Sequence, residues 1–280
     1  MINIGDYNIL KVKREKDFGF YLGNEGREEV LLPKAVLEDK SIKEGDEIEV
    51  FVYRDSKDRP VATFKKPLAK IGDVAYLKVV GQTKFGAFVD FGLDRDIFVP
   101  IKEQRFKLKV GNKYLFYLYL DKTGRLAATT EVENYLENAK EEEMEFKVGD
   151  EVIAQVYSRT PSGTLNVAID SKYKGLVLPN EYYDEVFPGE ELYLRIKRLY
   201  EDGVVGLTPR KTRLSEREKL QEDIIKYMEK NGGFMEFNDK SKPEDIKATF
   251  KTSKNYFKMA LGGLMKNGKI VQEEEGTRLK

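Results

Sequence analysis

The sequence predicts a mainly β protein with a C-terminal α+β domain. Two observations carry this prediction: a pattern of short, alternating strands that occurs three times, and a change to helix-forming sequence after Arg213. At 280 residues, the chain is long enough for two or more domains.

Three kinds of marker define the repeat. A Gly-Asp pair opens each unit, an apolar run then ends in proline, and a second glycine introduces another strand. The spacing between the markers agrees from unit to unit, which predicts a repeated domain of roughly 65 residues. In chain order, the markers are Gly5-Asp6, Pro33 and Gly45, then Gly72-Asp73, Pro100 and Gly111, then Gly149-Asp150, Pro179 and Gly189.

Five short strands in so small a unit favour a closed Greek-key barrel of the OB type, which leaves no strand edge exposed. We therefore expect barrels at residues 1–66, 67–130 and 146–211, the third one degenerate. The glutamate-rich segment 131–145 is predicted to be an acidic helical linker. A solvated charged linker without a function of its own is the simplest interpretation of that segment.

Residues 212–280 have a different pattern. Apolar residues at helical spacing follow Arg213, Pro243 opens a second helix, and Ser253 begins a third. Asn267-Gly268 then leads into a strand. This order predicts a winged helix, in which a helix-turn-helix carries a β wing.

Composition restricts the chemistry. The chain has no His and no Cys, so the commonest general base, the thiol nucleophile and the usual zinc ligands are missing. We therefore expect no catalytic residues, no metal and no cofactor. The 49 basic and 49 acidic residues balance, yet residues 67–130 and 210–280 each carry a basic excess. Uneven charge of this kind is typical of a nucleic-acid-binding surface.

The stretch KFGAFVDFG, residues 84–92, predicts a stacking platform. On an unbroken strand Phe85 and Phe88 would face opposite sides, but a bulge at Gly86 would turn both rings outward. Exposed rings stack on unpaired bases, and a cation such as Lys84 holds the phosphates. Packing of both rings in the core is the alternative, and Phe91 and Phe98 are assigned to the core.

Two closing turns share an Asp and an Arg four positions apart, Asp121 with Arg125 and Asp55 with Arg59. An arginine beside an aromatic platform can stack on a base or bind a phosphate. Asp121 either orients Arg125 or a base edge, or simply caps its turn.

These motifs resemble the RNA-binding OB domain named after bacterial ribosomal protein S-one. The resemblance implies that Phe85, Phe88, Asp121 and Arg125 contact RNA in the second unit. In the first unit it implies the same role for Phe18, Tyr21, Asp55 and Arg59. Where family members often carry a His, this chain has Pro33 and Pro100.

The third unit lacks these motifs. Ser162 and Leu165 are expected at the two aromatic positions, and its closing turn has no arginine. We expect a structural or partner-facing role there, or RNA contact through Lys172, Tyr173 and Lys174.

Three such domains followed by a winged helix resemble the conserved virulence factor B family of low-GC Gram-positive bacteria. The resemblance implies a cytoplasmic RNA-binding virulence regulator that acts after transcription and is not an enzyme. The implied partner is single-stranded RNA, mRNA or another transcript. The ribosome or the RNA-processing machinery is a further candidate partner, and no membrane partner is expected.

Three alternatives stay open. Lys251, Lys254 and Lys258 of the winged helix, with Lys247, would suit a DNA-binding transcription regulator as well as RNA. A solvated lysine face is the simpler interpretation of these residues. The barrels could also form a protein-interaction scaffold. Finally, a nuclease could hold a metal at three loop aspartates, Asp90, Asp94 and Asp96.

Overall fold

The computed structural model describes residues 1–26, 28–37, 40–140, 146–209 and 213–280. Within these residues, three closed five-stranded barrels precede a domain of three helices and a three-stranded sheet. The predicted fold class is therefore confirmed. None of the described helices has the length and hydropathy needed to cross a bilayer.

The barrels share one topology, in which the strand order around each barrel is first, second, third, fifth, fourth. The first barrel contains β1 (Asp6–Lys16), β2 (Gly19–Gly23), β3 (Glu29–Pro33), β4 (Glu47–Arg54) and β5 (Pro60–Thr63). The second contains β6 (Val74–Thr83), β7 (Gly86–Asp90), β8 (Ile97–Pro100), β9 (Lys113–Leu120) and β10 (Leu126–Thr129). The third contains β11 (Glu151–Arg159), β12 (Leu165–Ile169), β13 (Tyr173–Val177), β14 (Glu191–Leu199) and β15 (Val205–Thr208).

The repeated glycines have a shared structural role. In each barrel the first strand carries a β-bulge that follows a buried valine, Val12, Val79 or Val156. The carbonyl oxygen of that valine accepts a hydrogen bond from the second marker glycine, Gly45, Gly111 or Gly189. Each of these glycines has a φ of 94–95°, a left-handed conformation that side chains rarely adopt. The marker therefore fixes a bulged strand in all three units.

The first two barrels share a hydrophobic core. Phe51 and Tyr53 from β4 and Val61 from β5 are buried in the same cluster as the core of the second barrel. Phe51 is completely inaccessible to solvent. This shared apolar contact joins the two barrels into one packed unit.

The linker differs from its prediction. Residues 131–140 contain a single 3₁₀ turn, Glu133–Tyr135, in place of the expected helix. Val132 and Leu136 are buried between the second and third barrels, and Tyr135 stacks on Tyr117 with ring centroids 3.4 Å apart. Glu137 then pairs alongside β13, donating to Lys172 O at 2.8 Å. These tertiary contacts outweigh the helix propensity of the glutamates, and the segment is anchored by three buried side chains, Val132, Leu136 and Ala139.

Residues 141–145 of the predicted linker and the predicted boundary between residues 211 and 212 lie outside the described residues.

The C-terminal domain has the predicted winged-helix order. It contains α1 (Arg213–Lys230), β16 (Phe234–Met235), α2 (Pro243–Phe250), α3 (Lys254–Lys266), β17 (Ile270–Glu273) and β18 (Gly276–Leu279). Pro243 occupies the first turn of α2, and the Ser253 side chain accepts a hydrogen bond from the Tyr256 amide at the start of α3. Strands β17 and β18 form the antiparallel wing.

Candidate nucleic-acid interface

The turn between β6 and β7 presents Phe85 to solvent. Its ring is 66% exposed, and Lys84 Nζ lies 5.0 Å from the ring centroid. The Phe85 amide donates to Thr83 Oγ1 at 3.2 Å, and its carbonyl oxygen accepts from the Ile101 amide at 2.9 Å. The backbone of Phe85 is thus held on both sides while its ring stays exposed.

The Gly86 bulge prediction is wrong. The strand register changes between Val79 and Gly81, so the bulge lies on the opposing strand β6. Gly86 begins β7 as an ordinary paired residue. Phe85 lies in the turn before the strand, so strand alternation does not apply to it. Glycine is needed at position 86 for another reason: a Cβ there would lie 2.3 Å from the Val99 carbonyl oxygen.

Phe88 lies on the outer side of the barrel, half-buried, directly opposite Phe98 on β8. Their ring centroids are 5.2 Å apart. The assignment of Phe98 to the core is therefore wrong, because Ile97 and Val99 take the inward positions on β8 and Phe98 alternates outward. Phe91 is buried as expected.

Asp121 caps its own turn. Its Oδ1 accepts hydrogen bonds from the backbone amides of Thr123 and Arg125 and from the Thr123 hydroxyl. Partial burial acts to raise the pKa of Asp121, but these hydrogen bonds together hold it below its ordinary value. Between the two roles considered for Asp121, this geometry matches the turn cap.

The side chain of Arg125 pairs with a residue of the first barrel and not with Asp121. Its Nε and Nη2 donate to the carboxylate of Asp58 at 2.7–3.0 Å. The hydrogen bond from Arg125 lowers the pKa of Asp58. Sequence reasoning could not find this pair, because it depends on how the two barrels pack.

Two further arginines cross the same seam. Arg54 of the first barrel donates from Nε to Gly124 O at 3.0 Å, in the closing turn of the second. Arg95 of the second barrel donates from Nη1 to the carbonyl oxygen of Asp55 in the first. The two closing turns are thus held against each other, and no motif in the sequence marks Arg54 or Arg95.

The first barrel carries a smaller version of the platform. Phe18, in the turn between β1 and β2, is 57% exposed, and its ring meets Tyr21 edge-on at 6.3 Å. The guanidinium of Arg14 lies 4.3 Å from the Tyr21 ring centroid, a contact that the sequence analysis missed. Arg59 donates from Nε and Nη2 to one oxygen of Asp55, Oδ2, at 2.6–2.9 Å, and this hydrogen bonding lowers the pKa of Asp55.

The third barrel has lost these groups, although its predicted equivalences are off by one residue. The bulge places Asn166 at the position of Phe88 and Gly163 at that of Phe85. Leu165, expected at an aromatic position, is instead completely buried. The error arose because the turn between β11 and β12 is one residue longer than the turn between β6 and β7: Arg159 pairs with Leu165, whereas the equivalent Gln82 pairs with Ala87.

The alternative contact set on the third barrel is also wrong in part. Tyr173 is packed into the core cluster of that barrel, with only 8% of its surface exposed. Lys172 Nζ lies 3.6 Å from the carboxylate of Glu137. A tyrosine buried in this way offers no face for a base.

The predicted winged-helix lysines lie in three different settings. Lys251 ends α2 in a left-handed conformation, with φ 51°, and lines a cleft between this domain and the third barrel. Lys254 donates to Lys240 O at 3.3 Å. Lys258 is exposed on α3, and Lys247 reaches over the ring of Tyr183 at 5.5 Å.

The three loop aspartates do not form a carboxylate cluster. Asp94 pairs with Lys65 at 2.9 Å, and no group of three or more acidic side chains suited to a metal occurs among the described residues.

Comparisons with known proteins agree with this architecture. Residues 4–65 and 71–131 match the S1 domain, and residues 222–279 match the CvfB-like winged helix domain. The chain is 33% identical to the uncharacterized protein YitL of Bacillus subtilis, over 98% of this chain and 92% of that protein. It is 28% identical to conserved virulence factor B of Staphylococcus epidermidis, over 98% and 93%.

A solved structure from Streptococcus pneumoniae, described as a multidomain protein with nucleic acid binding domains, is also similar. It is 30% identical and covers 99% of both chains, with a TM-score of 0.54. Together, the S1-domain matches and this similarity suggest nucleic-acid binding. The domain order and the full-length similarity place this chain in the conserved virulence factor B family.

Proposed function

We propose that this protein binds single-stranded RNA through its first two barrels and controls gene expression after transcription, without an enzymatic step of its own. One observation carries the proposal: Phe85 stands 66% exposed on a fixed turn with a lysine over its ring, inside an S1 domain. Single exposed rings are common on protein surfaces, so the proposal rests on the combination of the exposed ring, the neighbouring lysine and the S1 domain, and not on exposure alone.

Unpaired bases provide a flat face for such a ring. A base stacked on an exposed aromatic ring contributes about 1–3 kcal/mol, while a neighbouring cation binds the phosphate. Paired bases in a duplex are already stacked and cannot reach the ring. The platform therefore favours single strands, and its affinity should fall as salt screens the phosphate contacts.

The experiment is filter binding of a short single-stranded RNA and of its duplex to the full-length chain. We expect the single strand to bind more tightly and Phe85→Ala to weaken it by about 1–3 kcal/mol, roughly 5- to 150-fold. The matched control is Tyr193→Ala, which removes an 81% exposed ring from the third barrel and should leave the affinity unchanged. Equal binding by wild type and Phe85→Ala would rule out the platform.

The regulatory part of the proposal is tested in cells. RNA crosslinked to the wild-type protein should include transcripts whose half-lives change in a Phe85→Ala strain while their synthesis rates stay constant. A change in synthesis rate alone would instead support control of transcription.

One observation favours a second candidate function, duplex DNA binding by the winged helix. The solvent-exposed residues of α3 include Asn255, Lys258 and Lys266, and winged helices insert this helix into the DNA major groove. In that case Lys258→Ala with Lys266→Ala would abolish duplex DNA binding while single-stranded RNA binding persists.

A further inference from the structure

The seam between the first two barrels encloses a cleft of ≈ 380 Å³. This volume lies within the roughly 300–1,000 Å³ typical of small-ligand sites. Phe88 and Phe98 form an aromatic wall of the cleft, and the first barrel contributes Tyr53 and Arg54. Phe85 is not part of the lining, so the cleft is distinct from the exposed ring beside it.

Polar groups of both signs line the cleft. Arg54, Arg95 and Arg125 supply donors, whereas Asp96 and Asp121 supply acceptors. Arg54 uses Nε and Nη1 on the carbonyl oxygens of Gly124 and Asp58, and its charge also acts on the Asp58 carboxylate, but no hydrogen bond from its Nη2 is found among the described residues.

The acceptors are available as well. Oδ1 of Asp121 is used in the turn, and within the described parts of the chain no hydrogen bond to its Oδ2 is found. Burial, with a smaller effect from the charge of Asp90, raises the pKa of Asp96, as expected for a partly desolvated carboxylate.

An aromatic wall with both donors and acceptors matches the chemistry of a nucleobase. A base has two flat faces for the rings and an edge that carries amino donors beside carbonyl or ring-nitrogen acceptors. A phosphate would be attracted by the arginines, but it would be repelled by the two carboxylates and would gain nothing from the rings. The mixed lining thus favours a base over the backbone.

We propose that this cleft is a single-nucleotide subsite, built by both barrels, that takes one unstacked RNA base and discriminates among bases by their edges. The inference rests on the proposed RNA binding. In this division of labour, Phe85 stacks on any base, and the cleft determines which base is preferred. Arg54, contributed by the neighbouring barrel, is then a specificity residue.

The test measures binding of full-length protein to four RNAs of about ten nucleotides, a length suited to OB-fold sites. The four are U-tracts that differ only in one central base, which is U, A, C or G. For the wild type we expect the tightest and weakest RNAs to differ about tenfold, as edge hydrogen bonds allow. Arg54→Met and Phe98→Leu should each abolish that difference.

Two variants serve as controls. Lys70→Met removes the same charge and breaks the ion pair from Lys70 to Asp6, which also joins the barrels but lies outside the cleft. It should keep the wild-type difference in affinity among the four RNAs, which is the spread referred to below. Phe85→Ala should weaken all four alike and also keep the spread.

The outcomes separate the two proposals. If wild-type protein binds none of the four RNAs, the proposed function itself fails. If it binds all four equally, or if the spread survives in Arg54→Met or in Phe98→Leu, RNA binding stands and the base-selective subsite is wrong.

Discussion

The second and third barrels share one backbone arrangement, here called the frame, and differ in the outward-facing side chains that it carries. Both carry the bulge after a buried valine and the glycine that hydrogen-bonds to it. At the outer positions, however, Phe85 and Phe88 of the second barrel correspond to Gly163 and Asn166 of the third.

The closing turns differ in the same way. Each turn is closed by a hydrogen bond from its first residue to the carbonyl oxygen of its fifth, Asp121 to Arg125 in one barrel and Tyr200 to Val204 in the other. The third turn keeps this backbone bond with Tyr200 and Val204 in place of the aspartate and the arginine, and Asp202 Oδ1 accepts a hydrogen bond from the Val204 amide. The comparison teaches that the frame depends on backbone hydrogen bonds and inward residues, so the outward residues can change without loss of the barrel.

The largest expected effect is on stability, at a position where the second and third barrels differ. Gly86 corresponds to Thr164 in the third barrel, which carries a Cβ. At Gly86 the opposing strand comes so close that a Cβ would lie 2.3 Å from a carbonyl oxygen. We expect Gly86→Ala to lower the free energy of unfolding by about 1–3 kcal/mol, because the fixed strand cannot move away. Urea unfolding of the full chain measures this change.

Gly81→Ala is the matched control for that substitution. It lies in the same hairpin, and its added Cβ would meet only the Phe88 side chain, at an ordinary 3.6 Å. It should change the free energy of unfolding less than Gly86→Ala does. If the two substitutions cost the same, the close approach of β8 is not what requires glycine at position 86.

The second prediction exchanges the outward residues. Phe88→Asn gives the second barrel the residue of the third, and we expect RNA affinity to fall by about 1–3 kcal/mol through lost stacking. The reverse change, Asn166→Phe, should produce no comparable gain. Gly163, the counterpart of Phe85, has φ 89°, so the third barrel cannot readily place a second ring beside the first. Filter binding of single-stranded RNA measures both variants.

A symmetric result would contradict this interpretation. If Asn166→Phe strengthens binding as much as Phe88→Asn weakens it, a single outward ring is sufficient and the turn conformation is irrelevant. Thermal unfolding of each variant checks that the barrels remain folded.

The fold could be predicted from the repeated markers, because each marker is required by a local backbone conformation. Gly45, Gly111 and Gly189 all need a left-handed φ, and that requirement is visible in a sequence. The outward position of Phe98 was also predictable, since it alternates with the apolar Ile97 and Val99, which are buried.

The contacts between the first two barrels could not be predicted from the sequence. The bond from Arg125 to Asp58 joins residues 67 positions apart, and its formation depends on the shared core around Phe51. The linker failed as a prediction for the same reason, since Leu136 is held by tertiary contacts that no local pattern encodes. Local rules thus recover each barrel but not the contacts between barrels.

The smallest expected effect concerns the ion pair that the third barrel lacks. Since Arg125 lowers the folded-state pKa of Asp58 below the ordinary 3.8, the pair stabilises the chain above that value. This stabilisation is lost as the pH falls through the folded-state pKa, because protonated Asp58 no longer attracts Arg125. The effect should be small, because the pair is exposed to solvent and screened by salt.

Asp58→Asn isolates this contribution, because the other carboxylates titrate alike in wild type and variant. We expect wild type to be slightly more stable than Asp58→Asn near neutral pH, and the two to converge as the pH falls below 3.8 and through the folded-state pKa of Asp58, measured by urea unfolding. Added salt at neutral pH should also reduce the difference in the free energy of unfolding between wild type and Asp58→Asn. A difference in the free energy of unfolding that persists at both low pH and high salt would mean that Asp58 stabilises the seam through packing and not through its charge.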